Sequence, residues 1–108
     1  NNKKFVEAFK AKYGPKAVSG DVTQAGYLGP WLWKMAVEKA GSFDVAKVTA
    51  ASPGIELKTA PEGYVKIDAN HHLWSKARIG QGQPDGTFKV VAESADLLKP
   101  DPFPKGYQ

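Results

Sequence analysis

The chain's two histidines stand side by side in the stretch Asn70-His71-His72-Leu73-Trp74. Imidazole titrates near neutrality and is the commonest metal ligand, so acid–base or metal chemistry would be sought here first. The spacing argues against both. Neighbours on a regular strand point to opposite faces, so His71 and His72 there cannot chelate one ion. A metal would also need a third ligand, and the acid nearest in sequence is Asp68, at an expected turn. Nucleophilic or acid–base catalysis needs a hydroxyl or carboxylate partner, and none stands at a recognisable spacing. The structural reading remains: one imidazole packs beside Trp74 and the other hydrogen-bonds in the turn.

Other candidates are fewer. There is no cysteine, which excludes disulfides, thiolate nucleophiles and Cys-bearing zinc sites. The glycine-rich run Gly80–Gly86 lacks the strand–glycine–helix context of a phosphate loop and reads as a hairpin. Tyr27, Trp31 and Trp33 form an aromatic cluster in which Tyr27 and Trp31, four apart, share a helix face. Such a face serves as a second packing surface or as the lining of a small-molecule cleft. The net charge of +4 is concentrated in residues 1–16, where five lysines meet only Glu7, and the rest of the chain is neutral. Arg78 is the only arginine, although arginine is the favoured reader of bases and phosphates. Nucleic acid is therefore not the expected partner, and the lysines form a solvated helix face.

Three helices and then several strands must position these residues. The spacing of Phe5, Phe9 and Tyr13 predicts a helix from about Lys3 to Tyr13, stopped by Gly14-Pro15. A long helix is expected from Val22 to Ala40, with Asp21 as cap, Gln24 three residues on, and Gly41 as stop. Its inward stripe reads Ala25, Leu28, Leu32, Met35 and Ala36. Pro30 should kink this helix or detach its first turns. A short helix follows from Phe43 to Ala51, capped by Ser42 and ended by Pro53-Gly54. From Ile55 the period becomes alternating: 55–58, 64–68, a run from Asn70 to Gln83, and 88–92 beyond the hairpin turn Pro84-Asp85-Gly86. Residues 1–54 are thus a helical part and 55–94 a strand and hairpin part. Residues 95–108 are an extended tail, with prolines at 100, 102 and 104, outside any helix or ladder strand. Taken alone this order gives an α+β domain; it also fits the closing segment of a larger α/β protein.

The residues 24–44, the run from Ala60 to Gly80, Pro84–Ser94 and the closing Pro100-Asp101-Pro102-Phe103-Pro104 together resemble one family. It is the C-terminal end of the urea and short-chain-amide receptors among the type I periplasmic binding proteins, in the branched-chain amino-acid receptor superfamily. The specific parts are the Ala60-Pro61-Glu62-Gly63 turn, Asp68-Ala69-Asn70-His71-His72, and Pro100-Asp101-Pro102-Phe103. The resemblance covers essentially all 108 residues.

It implies an α/β fold in which this chain is about the last quarter of a two-lobed receptor. The histidine segment would follow the strand after the Ala-Pro-x-Gly turn, with no catalytic or metal role. It implies a non-enzymatic, periplasmic or membrane-anchored extracytoplasmic receptor of an ABC importer, without cofactor. Its partners would be a small polar solute (urea or a short amide), the membrane permease subunits and the N-terminal remainder of the receptor. Tyr27 is the residue placed on the ligand, as the aromatic side chain at the start of the cleft-facing helix. Gly26, where the family more often has alanine, and Pro30 depart from the pattern. A cytoplasmic amide-sensing regulator of the same fold and a free-standing protein-interaction domain are the rival readings.

Overall fold

The computed structural model describes residues 1–106. Tyr107 and Gln108, the last two positions of the expected extended tail, lie outside the described residues.

Helix α1 (Asn2–Tyr13) ends at Gly14, whose φ of 102° is open to glycine and costly for other residues. None of its side chains is fully buried. Its three aromatic residues lie along one side, and its lysines are exposed.

Helix α2 (Asp21–Ala40) is a single helix through Pro30, and its first turns are not a separate element. Pro30 deprives the Gly26 carbonyl of its amide donor, but both residues are exposed, so water can take that bond. The cap is Gly20, one residue before the expected Asp21, and the Gly20 amide donates to Thr23 Oγ1 at 3.4 Å. Gly41 closes the helix in the left-handed conformation, with φ of 60°.

Helix α3 (Val45–Ala51) begins two residues later than the sequence predicts. Asp44, rather than Ser42, caps it, accepting from the Lys47 amide at 3.0 Å. Ser42 Oγ instead accepts from the Asp44 amide and holds the approach to the helix. Phe43, expected inside the helix, is left exposed before it.

Strands β1 (Glu56–Leu57), β2 (Val65–Ile67) and β3 (Leu73–Trp74) form a small antiparallel sheet in that order. Strands β4 (Arg78–Gly82) and β5 (Phe88–Glu93) form a separate hairpin around the predicted Pro84-Asp85-Gly86 turn. Asp85 tightens that turn by accepting from the Thr87 amide and hydroxyl, and Gly86 supplies the positive φ. The run 70–83, read in sequence as one strand, therefore divides between two sheets. The alternation of Phe88, Val90 and Ala92 is also broken: Gly80 pairs with Val90 and Ile79 with Ala92, leaving Val91 as an extra residue. In the tail, Leu98 makes an isolated antiparallel bridge with Ser75, a contact that its proline-rich composition hides.

The core lies between α2 and the small sheet: Leu28, Leu32 and Ala36 meet Ile55, Ala60, Val65 and Ile67. Met35, Val48, Leu57 and Leu73 flank it. Ala25 is exposed, and Gln24 takes its place in the buried stripe. The core is small for the chain. The radius of gyration is 16.1 Å, against about 13 Å for a compact domain of this length. Both faces of the β4–β5 hairpin are exposed. Among the described residues, no helix is long and apolar enough to cross a membrane.

Candidate functional site

Tyr27 stands on the first half of α2, one residue before the core residue Leu28, so its side chain leaves the helix beside the core rather than into it. Its ring meets Phe5 of α1 at 5.0 Å between centroids and Trp31, one turn on, at 6.3 Å. The row continues along α1 from Phe5 to Phe9 and Tyr13, with separations of 6.1 and 4.8 Å. These distances and the tilted or edge-on planes fall in the favourable range for aromatic pairs. The five rings line one side of a groove of about 630 Å³ between α1, α2 and Pro61. Lys4 and Lys12 stand on its rim, Thr23 and Thr59 add hydroxyls, and among the described residues no carboxylate side chain lines it. Tyr27 and Trp31 each keep 45% of their surface exposed.

The predicted aromatic cluster is thus divided. Trp33 points to the opposite side of α2, where its ring lies 6.1 Å from Phe43. A shallower groove of about 340 Å³ lies there, bounded by α2, α3 and His71.

The Ala60–Gly63 turn is tied to the same helix that carries Tyr27. Gly63 donates its amide to the Ala60 carbonyl at 3.0 Å, with φ of 109°. Gln24, buried in α2, donates through Nε2 to Glu62 Oε1 at 3.3 Å. The sequence reading gave Gln24 to the helix cap. Its spacing of four, eight and twelve residues from Leu28, Leu32 and Ala36 was the signal that it belongs to the inward stripe.

The histidine pair lies on the turn between β2 and β3, after the Ala-Pro-x-Gly turn and the strand that follows it, as the resemblance implies. It is not on a strand, so the opposite-face argument does not apply; the turn's own hydrogen bonds decide. Asp68 organises it. The Asp68 carbonyl accepts from the His71 amide at 3.0 Å and its amide donates to the His72 carbonyl at 2.8 Å. Its carboxylate accepts from Trp74 Nε1 at 2.6 Å and from the Asn70 amide at 3.3 Å. The indole bond, above all, holds the Asp68 carboxyl below the usual carboxylate range, against the opposing effect of burial. Asn70 Oδ1 accepts from the His72 amide, and His72 Nδ1 lies 3.1 Å from the Asn70 carbonyl. Because a carbonyl only accepts, this nitrogen carries the proton.

His71, at φ of 67°, contacts Ser52 at the end of α3, with Nδ1 and Oγ 3.0 Å apart. No sequence spacing linked this hydroxyl and imidazole; the return of the β2–β3 turn onto α3 brings them together. Ser52 Oγ also lies 2.9 Å from the Thr49 carbonyl, so the hydroxyl bridges the end of α3 and the imidazole. The contact fastens the turn to α3. Both imidazoles hydrogen-bond, where the sequence reading gave that role to one of them. Among the described residues, no group of three or more His, Cys, Asp or Glu side chains could hold a metal ion.

Rings from α1 and α2 thus line one groove, and the Ala60–Gly63 turn is tied to α2 through Gln24. The family model described as "Periplasmic binding protein domain" matches residues 1–108, the whole chain, and the chain belongs to that type I periplasmic binding protein family. It is 31% identical over 97 residues to the "Leu/Ile/Val-binding protein homolog 7" of Brucella abortus (strain 2308), covering 87% of this chain and 24% of that protein. The Brucella melitensis protein of the same name is 30% identical over the same extent. A "Limonene hydroxylase" of Geobacillus stearothermophilus is 32% identical over 104 residues, covering 94% of this chain and 19% of that protein. The chain therefore spans about a fifth to a quarter of the length of these curated relatives.

Proposed function

We propose that this chain is the closing segment of a non-enzymatic solute receptor of an ABC importer, with urea or a short-chain amide as its ligand and Tyr27 as one wall of the ligand cleft. One observation carries the receptor reading: the family match runs the full length of the chain. The amide specificity rests on the resemblance of the Ala60–Gly63 turn, the Asp68–His72 turn and the Pro100–Phe103 tail to the urea and amide receptors. The receptor would have two lobes and act outside the cytoplasm, periplasmic or membrane-anchored, handing solute to membrane permease subunits. Lobe closure around the ligand is driven by its greater affinity for the closed state. Tyr27 suits the wall because its ring is half-exposed yet held by neighbours. A flat aromatic surface fixes the plane of an amide while hydrogen-bonding groups elsewhere in the cleft satisfy its polar atoms.

The non-enzymatic reading is supported by the binding-protein family match over the whole chain. The Geobacillus relative's name states a hydroxylation, but the likeness extends over 19% of that protein, and its reaction is not carried over.

The names of the Brucella relatives and the ring-lined groove favour a second reading, a branched-chain aliphatic amino acid. Isothermal titration of the receptor that carries this chain, with urea, acetamide and leucine in turn, separates the two. Binding of urea or acetamide with no heat from leucine is the expected result. Leucine binding alone replaces the ligand and keeps the receptor. Turnover of limonene to a hydroxylated product by the purified protein overturns the non-enzymatic reading.

A further inference from the structure

We infer that Phe5 is a positioning residue for Tyr27: helix α1 sets the plane of the ring that the receptor offers to its ligand. The inference rests on the proposed role of Tyr27 as a cleft wall. Tyr27 is flanked on two sides. Trp31, at 6.3 Å and 63° between planes, stands one turn along the same helix and moves with it. Phe5, at 5.0 Å and 49°, comes from another element and is the nearer of the two rings. The Tyr27 hydroxyl makes no hydrogen bond among the described residues, so nothing polar orients the ring; the two aromatic contacts do. A tyrosine on a helix surface otherwise exchanges among rotamers, and a wall that must be fixed before the ligand arrives loses affinity in proportion to the time spent elsewhere.

Phe5 is in turn aligned by the helix it stands on. No α1 residue is fully buried, so α1 is not locked by the core. Its contacts to the rest of the chain include the Phe5 ring against Tyr27 and Asn1, whose Nδ2 donates to the Lys58 carbonyl at 3.1 Å. Phe9 backs Phe5 at 6.1 Å, and Tyr13 backs Phe9 at 4.8 Å. The contact between Phe5 and Tyr27 is therefore where the placement of α1 is converted into the placement of the ligand wall.

Two measurements test this in the receptor that carries the chain. First, 3-fluorotyrosine at position 27 reports the ring by its fluorine resonance. Phe5→Leu keeps an apolar side chain but removes the ring, and should shift and broaden that resonance; Phe5→Tyr should restore it, and Phe88→Ala on the distant hairpin should leave it alone. A resonance that ignores Phe5→Leu overturns the positioning role whatever the ligand is. Second, a double-mutant cycle is measured by titration with urea and acetamide. Phe5→Leu should weaken binding at least threefold in wild-type background and by less than twofold when Tyr27 is already alanine. Full additivity means that Phe5 acts by another route and also overturns the inference. If Tyr27→Ala leaves affinity unchanged while the fluorine shift persists, the ligand wall has been misassigned, and the ligand role of Phe5 is overturned with it.

Discussion

Asn70 donates through Nδ2 to the carbonyl of Pro100 at 3.0 Å, joining the Asp68–His72 turn to the start of the Pro-Asp-Pro tail. Two motifs thirty residues apart in sequence are thus one structural unit. Asn70 uses its other end as well, accepting from the His72 amide through Oδ1, so a single side chain shapes the turn and receives the tail.

Asn70→Ala removes both bonds and should cost about 1–3 kcal/mol, the range for a partly buried polar group whose partners are left unpaired. Asn70→Asp keeps the acceptor and loses the donor, and should fall between alanine and wild type. Urea unfolding measures the cost. Limited proteolysis with chymotrypsin should cut after Leu98 faster in both variants, because the Asn70 bond to the Pro100 carbonyl two residues on is gone. Unchanged cleavage in Asn70→Ala would show that the tail is held by the Ser75–Leu98 bridge alone.

The acid limb of stability should depend on Asp68 and Trp74. The indole N–H, and secondarily the Asn70 amide, lower the folded-state pKa of Asp68. A depressed carboxyl pKa adds stability that is complete above the unfolded value, about 3.9, and is lost as pH falls through the folded value. Trp74→Phe removes the donor, so its stability should fall less steeply than wild type below about pH 4. Glu93, lowered by Lys76 and then Arg78, and Asp85, lowered by Thr87, add to the limb in both proteins. Denaturant midpoints at a series of acidic pH values decide it. Parallel acid limbs in wild type and Trp74→Phe would remove this bond from the account.

The contrast between the small sheet and the hairpin sets a further expectation. Val65 is fully enclosed at the junction of α2 and β2. Val65→Ala should cost about 2 kcal/mol, two methyl groups' transfer plus a residual cavity. Val91 is the bulged residue of β5 and is 53% exposed. Val91→Ala should change stability by no more than about 0.5 kcal/mol. Thermal unfolding of the two variants compares them directly.

What the sequence disclosed and what it hid divide by the range of the interactions involved. The helical spacing of Phe5, Phe9 and Tyr13, the Gly41 stop and the Pro84-Asp85-Gly86 turn are local signals, and each stands where the sequence puts it. Pro30 left two outcomes open in sequence, a kink or detached first turns, and the helix runs on through it without detaching them. The cost of proline in a helix depends on whether the freed carbonyl reaches water, and the exposure of Gly26 is a tertiary property. The division of run 70–83 between two sheets was hidden for the same kind of reason. Alternation reports which face a residue takes but not which sheet it joins. At the candidate site, the Tyr27–Trp31 face was legible from a spacing of four. Its contact with Phe5 was not, since no periodicity connects α1 to α2. Ser52–His71 and Asn70–Pro100 are likewise made by chain return, which a single sequence does not encode in any spacing.

Tyr27 and Trp74 should separate affinity from stability. Urea has few heavy atoms, and a ceiling of about 1.5 kcal/mol for each limits its binding to roughly 6 kcal/mol. On the proposed reading the segment would provide one wall of a two-lobed cleft, and most of that total would come from groups elsewhere in the receptor. Removing the wall still matters, because a tenfold loss is only about 1.4 kcal/mol, within reach of one aromatic contact. In the complete receptor, Tyr27→Ala should therefore weaken urea or acetamide binding tenfold or more with little change in Tm, since the ring is half-exposed. Trp74→Ala should do the reverse. Its indole is bonded to the Asp68 carboxylate inside the β2–β3 turn, away from the rings that line the α1–α2 groove. Tm should fall by several degrees while Kd stays within about twofold of wild type, a change worth about 0.4 kcal/mol. Titration and thermal unfolding on both variants give the four numbers. Loss of affinity in Trp74→Ala with none in Tyr27→Ala would place the ligand on the turn rather than on α2, and Tyr27 would return to being a packing residue.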